Sequence, residues 1–281
     1  SSKTERACVK ESVELAQKAG FQDIQDLQSL KAGDKFYVVN KGKNLALFIM
    51  GEKPLTDGMR ILGAHIDSPR LDLKQNPLYE SDGFALLDTH YYGGVKKYQW
   101  VTIPLSLYGV VIKKDGTKVD VVIGEDDNDP VVGITDLLIH LSADQLQKTA
   151  AKVIEGENLD VTLGSIPLKD TEKDAVKANV LRLLKEKYDI EEEDFLSAEI
   201  EVVPSGKARD YGLDRSMVMG YGHDDRVCAY TSLKAILDIQ EIPQYTSCRI
   251  LVDKEEIGSV GATGAQSLFF ENTIAQILHL C

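Results

Sequence analysis

No run of about 18 apolar residues occurs in the 281-residue chain, so no segment reads as a membrane-spanning helix. Cysteine is scarce and scattered. Cys8, Cys228, Cys248 and Cys281 form no CxxC pair and no regular framework, which argues against a disulfide scaffold or a zinc knuckle. They read as reduced thiols in a cytoplasmic protein. Positive charge is in deficit: 32 Lys and Arg against 45 Asp and Glu leave a net charge of −13, which repels phosphate and argues against nucleic acid as a partner. Internal repeats and low-complexity segments are absent. The opening Ser1-Ser2-Lys3-Thr4-Glu5-Arg6 carries neither an apolar signal core nor a starting methionine, and the expectation is that the chain is trimmed at its front.

What remains is the balance of a globular protein, 43% hydrophobic and 27% charged, long enough to bury a substantial core. Thr4 to Ala19 sets Val9, Val13 and Ala16 at helical spacing, with Gly20 as a stop. Phe36–Val39 and Leu45–Met50 flank a Lys41-Gly42-Lys43-Asn44 turn and predict a hairpin. Arg60 to Ala64 predicts a buried strand that ends at His65. From about residue 95 to 208 the texture is different. β-like runs at Val101–Ile112 and Lys118–Ile123 are joined at Asp115-Gly116, and an acidic loop follows at Glu125–Pro130. Thr171–Asp174 predicts the cap of a helix carrying Val176, Val180, Leu181 and Leu184, and Phe195–Val203 predicts a strand. An alternating pattern then returns. Asp225–Ile239 predicts a helix with Val227, Tyr230, Leu233 and Leu237 on one face, Cys248–Val252 a strand, and Ala265–Leu280 a helix. The simplest architecture is an α/β domain, a mixed sheet flanked by helices, interrupted by a β-rich insert. Its expected boundaries are 1–94 and 209–281 for the two parts of the main domain and 95–208 for the insert.

Three short segments carry chemistry. In Gly63-Ala64-His65-Ile66-Asp67-Ser68-Pro69, a His at a strand end can bind a divalent metal through one ring nitrogen while Asp67 holds the other. His-x-Asp alone reads as a surface or hydrogen-bonded core histidine before it reads as a ligand. In Gly222-His223-Asp224-Asp225-Arg226, the paired aspartates fit helix capping, or a carboxylate at Asp224 that bridges two metals while Asp225 caps and Arg226 balances charge. His223 is a further candidate ligand. In Val252-Asp253-Lys254-Glu255-Glu256-Ile257-Gly258-Ser259, adjacent glutamates fit a solvated loop. They also fit one metal ligand beside a proton acceptor, and the small residues Gly258, Gly261, Ala262 and Gly264 allow close backbone approach. No Gly-Lys-Ser/Thr follows, which excludes a phosphate loop.

Together, and in this order, the segments resemble the aspartyl aminopeptidase family of two-metal peptidases, with Tyr91-Tyr92-Gly93-Gly94 resembling its loop near the insert. The resemblance implies His65 on one metal, Asp224 bridging both, Glu256 on the other, Glu255 as general base and Asp67 orienting His65. It implies two divalent ions per subunit, zinc with manganese or cobalt as substitutes. It further implies peptide substrates with acidic N-terminal residues suggested, an insert that covers the site and mediates dimer contacts, and a homo-oligomer, the dodecamer of the family. The family supplies two further ligands, an Asp and a His, beyond the Glu-Glu segment. This chain offers only Glu271 and His279 there, so the expectation is a partial sequence, inactive and poorly soluble by itself. Two other readings stay open: a metal-dependent deacylase or amidohydrolase of the same architecture, and a non-catalytic scaffold.

Overall fold

The computed structural model describes residues 2–281. In chain order the first elements are α1 (Glu5–Lys18), β1 (Gln22–Asp23), β2 (Lys35–Asn40), β3 (Asn44–Ile49) and β4 (Met59–His65). Then come β5 (Arg70–Ser81), β6 (Phe84–Tyr92), β7 (Leu105–Ile112), β8 (Lys118–Ile123), β9 (Val161–Gly164), α2 (Ala175–Tyr188) and β10 (Ala198–Pro204). The last are β11 (Arg209–Tyr211), β12 (Met217–Met219), α3 (His223–Leu237), β13 (Thr246–Val252) and α4 (Phe269–Leu280).

Two units divide these elements. The first, Ser1–Ser68 with Gly220–Cys281, is built on a five-stranded mixed sheet in the order β1-β2-β3-β13-β4. β3 alternates Leu45, Leu47 and Ile49 toward one face and Ala46 and Phe48 toward the other, and all are buried. A strand covered on both sides reads as a continuous apolar run, which is why β3 shows no polar alternation. One face carries α1 and α3, through Cys8, Val9, Ala16, Ala229, Leu233 and Ile236. The opposite face carries α4 through Ile277, over a Phe36–Phe48 stack with ring centroids 5.2 Å apart. Thr4 caps α1 by accepting from the Ala7 amide at 3.3 Å. Lys41 and Gly42 both have positive φ, 53° and 69°, the requirement of a tight hairpin turn between β2 and β3.

The second unit, Pro69–Met219, holds a six-stranded antiparallel sheet in the order β8-β7-β10-β5-β6-β9 and the small ribbon β11–β12. The limits of this unit, 69 and 219, lie outside the expected insert boundaries of 95 and 208. The β5–β6 hairpin pairs through β5 with β10, Leu71 opposite Val202, and so joins the insert sheet. An alternating pattern marks a strand but does not say which sheet receives it. The cap of α2 differs too. Asp174 makes no side-chain bond to the helix, and Glu80 of β5 accepts from the Val176 and Lys177 amides at 2.9 Å each.

Two burial expectations in the first unit are corrected. β4 is an edge strand whose Arg60, Ile61, Leu62 and Gly63 are exposed among the described residues, so only its end at Ala64 and His65 is buried. The inward face of α3 is Ala229, Leu233 and Ile236, with Val227 and Tyr230 exposed. Apolar residues surround that helix, so periodicity alone selects two faces that share Leu233.

Candidate metal centre

β4 and β13 run parallel, with Val252 opposite His65. Both strands therefore end at the same level, and the loops that follow them emerge side by side. The start of α3 is the third contributor. His65, Asp224 and Glu256 each place one ligand atom within 4.8 Å of the others. One imidazole nitrogen and two carboxylate oxygens form a donor set that suits zinc and other divalent ions.

His65 is buried at the end of β4. Its Nδ1 lies 3.1 Å from the Asp67 carbonyl and 3.3 Å from the Asp67 carboxylate, so Nδ1 carries the proton and donates. Nε2 faces Asp224 Oδ1 at 3.1 Å and Glu255 Oε2 at 3.6 Å. With these protein groups around it, the ring's pKa is raised to about 9. The Asp67 hydrogen bond is the largest cause, burial opposes it, and Asp224 and Glu255 add to it. A cation is what this arrangement of carboxylates favours.

Asp67 has no exposed surface and does more than hold His65. Its two carboxylate oxygens accept from the Glu255 and Glu256 amides, each at 3.2 Å. One buried carboxylate thus ties the loop after β4 to the turn Glu255–Ile257 after β13. Glu256 has its pKa raised, first by burial and then by the Asp67 charge, with His65 opposing. Glu255 is half exposed, beside the ring that a ligand would share.

The expected site residues His65, Asp67, Asp224, Glu255 and Glu256 are therefore brought together, and the expected helpers behave differently. His223 is exposed and does not join the three-residue cluster, nor do Glu271 and His279 on α4. No side-chain bond from Asp225 closes the start of α3. Its carboxylate takes the Cys228 thiol instead, which raises that thiol's pKa. Arg226 pairs with no carboxylate among the described residues; its hydrogen bonds go to neutral oxygens. The Asp224–Asp225 peptide is cis. Sequence reading also missed the clasp behind the Glu255–Glu256 turn. Buried Asp253 accepts from the Thr263 hydroxyl at 2.6 Å, and buried Asn44 donates to the Thr263 carbonyl at 2.5 Å. Asn44 and Thr263 lie 219 residues apart, so no local pattern could join them.

Fold and cluster together define an α/β domain with a candidate metal centre of imidazole and carboxylates at the carboxyl ends of two parallel strands. Residues 1–281 match the family described as aminopeptidase I zinc metalloprotease (M18), and the chain belongs to that family. It is 62% identical to a probable M18 family aminopeptidase 1 of Clostridium acetobutylicum, over 99% of this chain and 61% of the relative. The crystal structure of an M18 aminopeptidase from Thermotoga maritima superimposes with a TM-score of 0.94 at 47% identity, covering 99% of this chain and 61% of that one. That of aminopeptidase I from Clostridium acetobutylicum gives 0.90 at 60% identity, covering 98% and 61%. The chain thus spans about three fifths of the length of these relatives. A Saccharomyces cerevisiae assembly described as a dodecamer shares the fold at 21% identity and a TM-score of 0.75.

Proposed function

We propose that the full-length protein is a metal-dependent aminopeptidase that removes the N-terminal residue of peptides, with His65, Asp224 and Glu256 holding divalent ions of the zinc type. Manganese and cobalt suit the same donors. The observation that carries this reading is the convergence of those ligand atoms within 4.8 Å, with Glu255 at 3.6 Å from the His65 nitrogen. When bound, a metal pair lowers the pKa of water and stabilises the oxyanion of a cleaving peptide.

The chain's own residues do the rest. Asp67 holds His65 at Nδ1, which directs Nε2 toward the place the ions would take. Asp224, largely exposed, offers two oxygens and would hold both ions. Glu255 takes the proton from the attacking water and passes it to the leaving amine, which requires a carboxylate close to the ligands and free to move. Asp67 orients His65 and holds the Glu255–Glu256 turn.

The unit Pro69–Met219 is read as the assembly module of a homo-oligomer, a dodecamer by family resemblance. All four cysteines are free, which fits a reducing cytoplasm. Among the described residues no helix is long and apolar enough to cross a membrane.

The test is hydrolysis by the zinc-loaded full-length protein of aspartyl and leucyl peptides with free and with acetylated N-termini. Turnover of free peptides alone is expected, and the ratio of the two free substrates reports any acidic preference. Turnover confined to acetylated substrates would replace this reading with a deacylase.

A further inference from the structure

Arg226, two residues past Asp224, contacts none of the site's carboxylates, yet every N–H of its guanidinium is used. Nε donates to the Ser2 carbonyl at 2.6 Å. Nη1 donates to the Ser68 hydroxyl at 2.5 Å and the Gly222 carbonyl at 3.2 Å. Nη2 donates to the Lys3 carbonyl at 2.5 Å and the Ile66 carbonyl at 3.3 Å. Five donors meet five neutral oxygens, the full capacity of a planar guanidinium. An ammonium has three donors and cannot reproduce the pattern.

These acceptors belong to three separate stretches of chain. Ser2 and Lys3 precede α1, Ile66 and Ser68 follow β4, and Gly222 precedes α3. Ser68 extends the link, since its hydroxyl donates onward to the Asp224 carbonyl at 3.0 Å. Gly222 supplies independent support. Its φ is +78°, and a Cβ built there would land on the Arg226 guanidinium, with the Ser68 hydroxyl 3.0 Å away. The backbone at 222 is thus shaped to admit this one side chain.

We propose that Arg226 is a positioning residue, joining residues 2–3, the His65–Ser68 loop and the Gly222–Asp224 turn so that Asp224 stands opposite His65. The proposal rests on the reading of His65, Asp224 and Glu256 as the metal centre. It also makes the segment before α1 part of the site's support, although that segment contributes no ligand. Distance works through geometry here: Asp224 Oδ1 meets His65 Nε2 at 3.1 Å only while both backbones are held. Residues that orient ligands without touching the metal typically contribute about 10–100-fold in affinity or activity.

The experiment uses the full-length protein and compares Arg226→Met, Arg226→Lys and Ser68→Ala with wild type and with Asp224→Ala. Zinc affinity is measured by chelator competition well below the melting temperature, together with kcat and KM separately. Arg226→Met is expected to weaken zinc by about 10–100-fold and lower kcat more than it raises KM. Arg226→Lys should fall between Met and wild type, and Ser68→Ala should show a smaller loss of the same kind. If Arg226→Met does not fold, Ser68→Ala, which removes one hydroxyl, decides. Loss of zinc in Asp224→Ala with wild-type affinity in the Arg226 or Ser68 variants would overturn the proposal and leave the metal centre standing. Wild-type affinity in Asp224→Ala would overturn the metal centre and this proposal with it.

Discussion

Replacing Asp67 with asparagine changes no shape and removes one acceptor oxygen, so its effect is readable from three contacts. Oδ1 accepts from the Glu255 amide at 3.2 Å and faces His65 Nδ1 at 3.3 Å, while Oδ2 accepts from the Glu256 amide at 3.2 Å. With the asparagine oxygen in the Oδ1 place, its NH2 confronts the Glu256 N–H. Turned over, the NH2 confronts the Glu255 N–H and the ring proton. Either rotamer sets a buried donor against a donor, at about 1–3 kcal/mol. Since about 1.4 kcal/mol is tenfold, this converts to roughly 5- to 150-fold in whatever the loop position controls. His65 retains its bond to the Asp67 carbonyl at 3.1 Å, so its tautomer survives and the damage concentrates on the Glu255–Glu256 turn. Asp67→Asn in the full-length protein should therefore lower kcat and zinc affinity together, each by about 10–100-fold. Chelator competition and steady-state kinetics on a leucyl peptide measure the two. Wild-type values for both would refute the argument that Asp67 holds the two loops together.

Glu255→Gln should keep zinc and lose about 10²–10⁴-fold in kcat, because glutamine cannot accept the proton; metal analysis alongside kinetics checks it, and near-normal turnover would end the assignment of Glu255 as base. Asp224→Ala should weaken zinc binding far more than His223→Ala, measured by calorimetry of the apo protein, and equal effects would remove Asp224 as the bridge. Arg249 is 1% exposed, has no partner for Nη1, and is pushed down to about 9 by burial. A guanidinium keeps its charge even when buried, so the fold carries the cost of desolvating it. Arg249→Met should raise unfolding stability at pH 7 by about 1–3 kcal/mol after loss of its bonds to the Ala229 carbonyl and Ser232 hydroxyl; a destabilised variant in denaturant titration would contradict this. Replacing residues 69–219 with a short linker should change particle mass more than the melting of the remaining unit, and light scattering showing an unchanged mass would dismiss the assembly role.

The strands and helices that hold the site were legible because their signals are local. Leu45 to Met50 announces a strand whatever lies elsewhere, and Thr4 announces the start of α1. The residues of the candidate site were legible for a related reason: His65 and Asp67, Asp224, and Glu255 and Glu256 each sit in a short segment with its own chemistry. Partnership was not legible. Whether β5 pairs with β4 or with β10 depends on residues 130 positions away. Arg226 was read as a counter-charge because it follows two aspartates in sequence, whereas its oxygens come from residues 2, 3, 66, 68 and 222. The exposure of Ile61 and Leu62 escaped for the same cause, since an apolar strand at a sheet edge has the same letters as one at the centre.

The site's position follows from strand direction more than from any single residue. Two parallel strands deliver their following loops to one edge of the sheet, whereas an antiparallel neighbour sends its loop to the other. β4 and β13 are the parallel neighbours at that edge, and their register sets Val252 beside His65. Two residues past the end of β4 stands Asp67, and three and four past the end of β13 stand Glu255 and Glu256. That equality of level lets one carboxylate reach both glutamate amides at 3.2 Å while its own backbone carbonyl holds His65. The non-helical segment at the start of α3 then brings Asp224 in from the side. His-x-Asp at the end of β4 and Asp-Lys-Glu-Glu just past β13 thus meet because of register. A one-residue slip between β4 and β13 would separate Asp67 from the turn it holds, and would break the site without altering a single ligand.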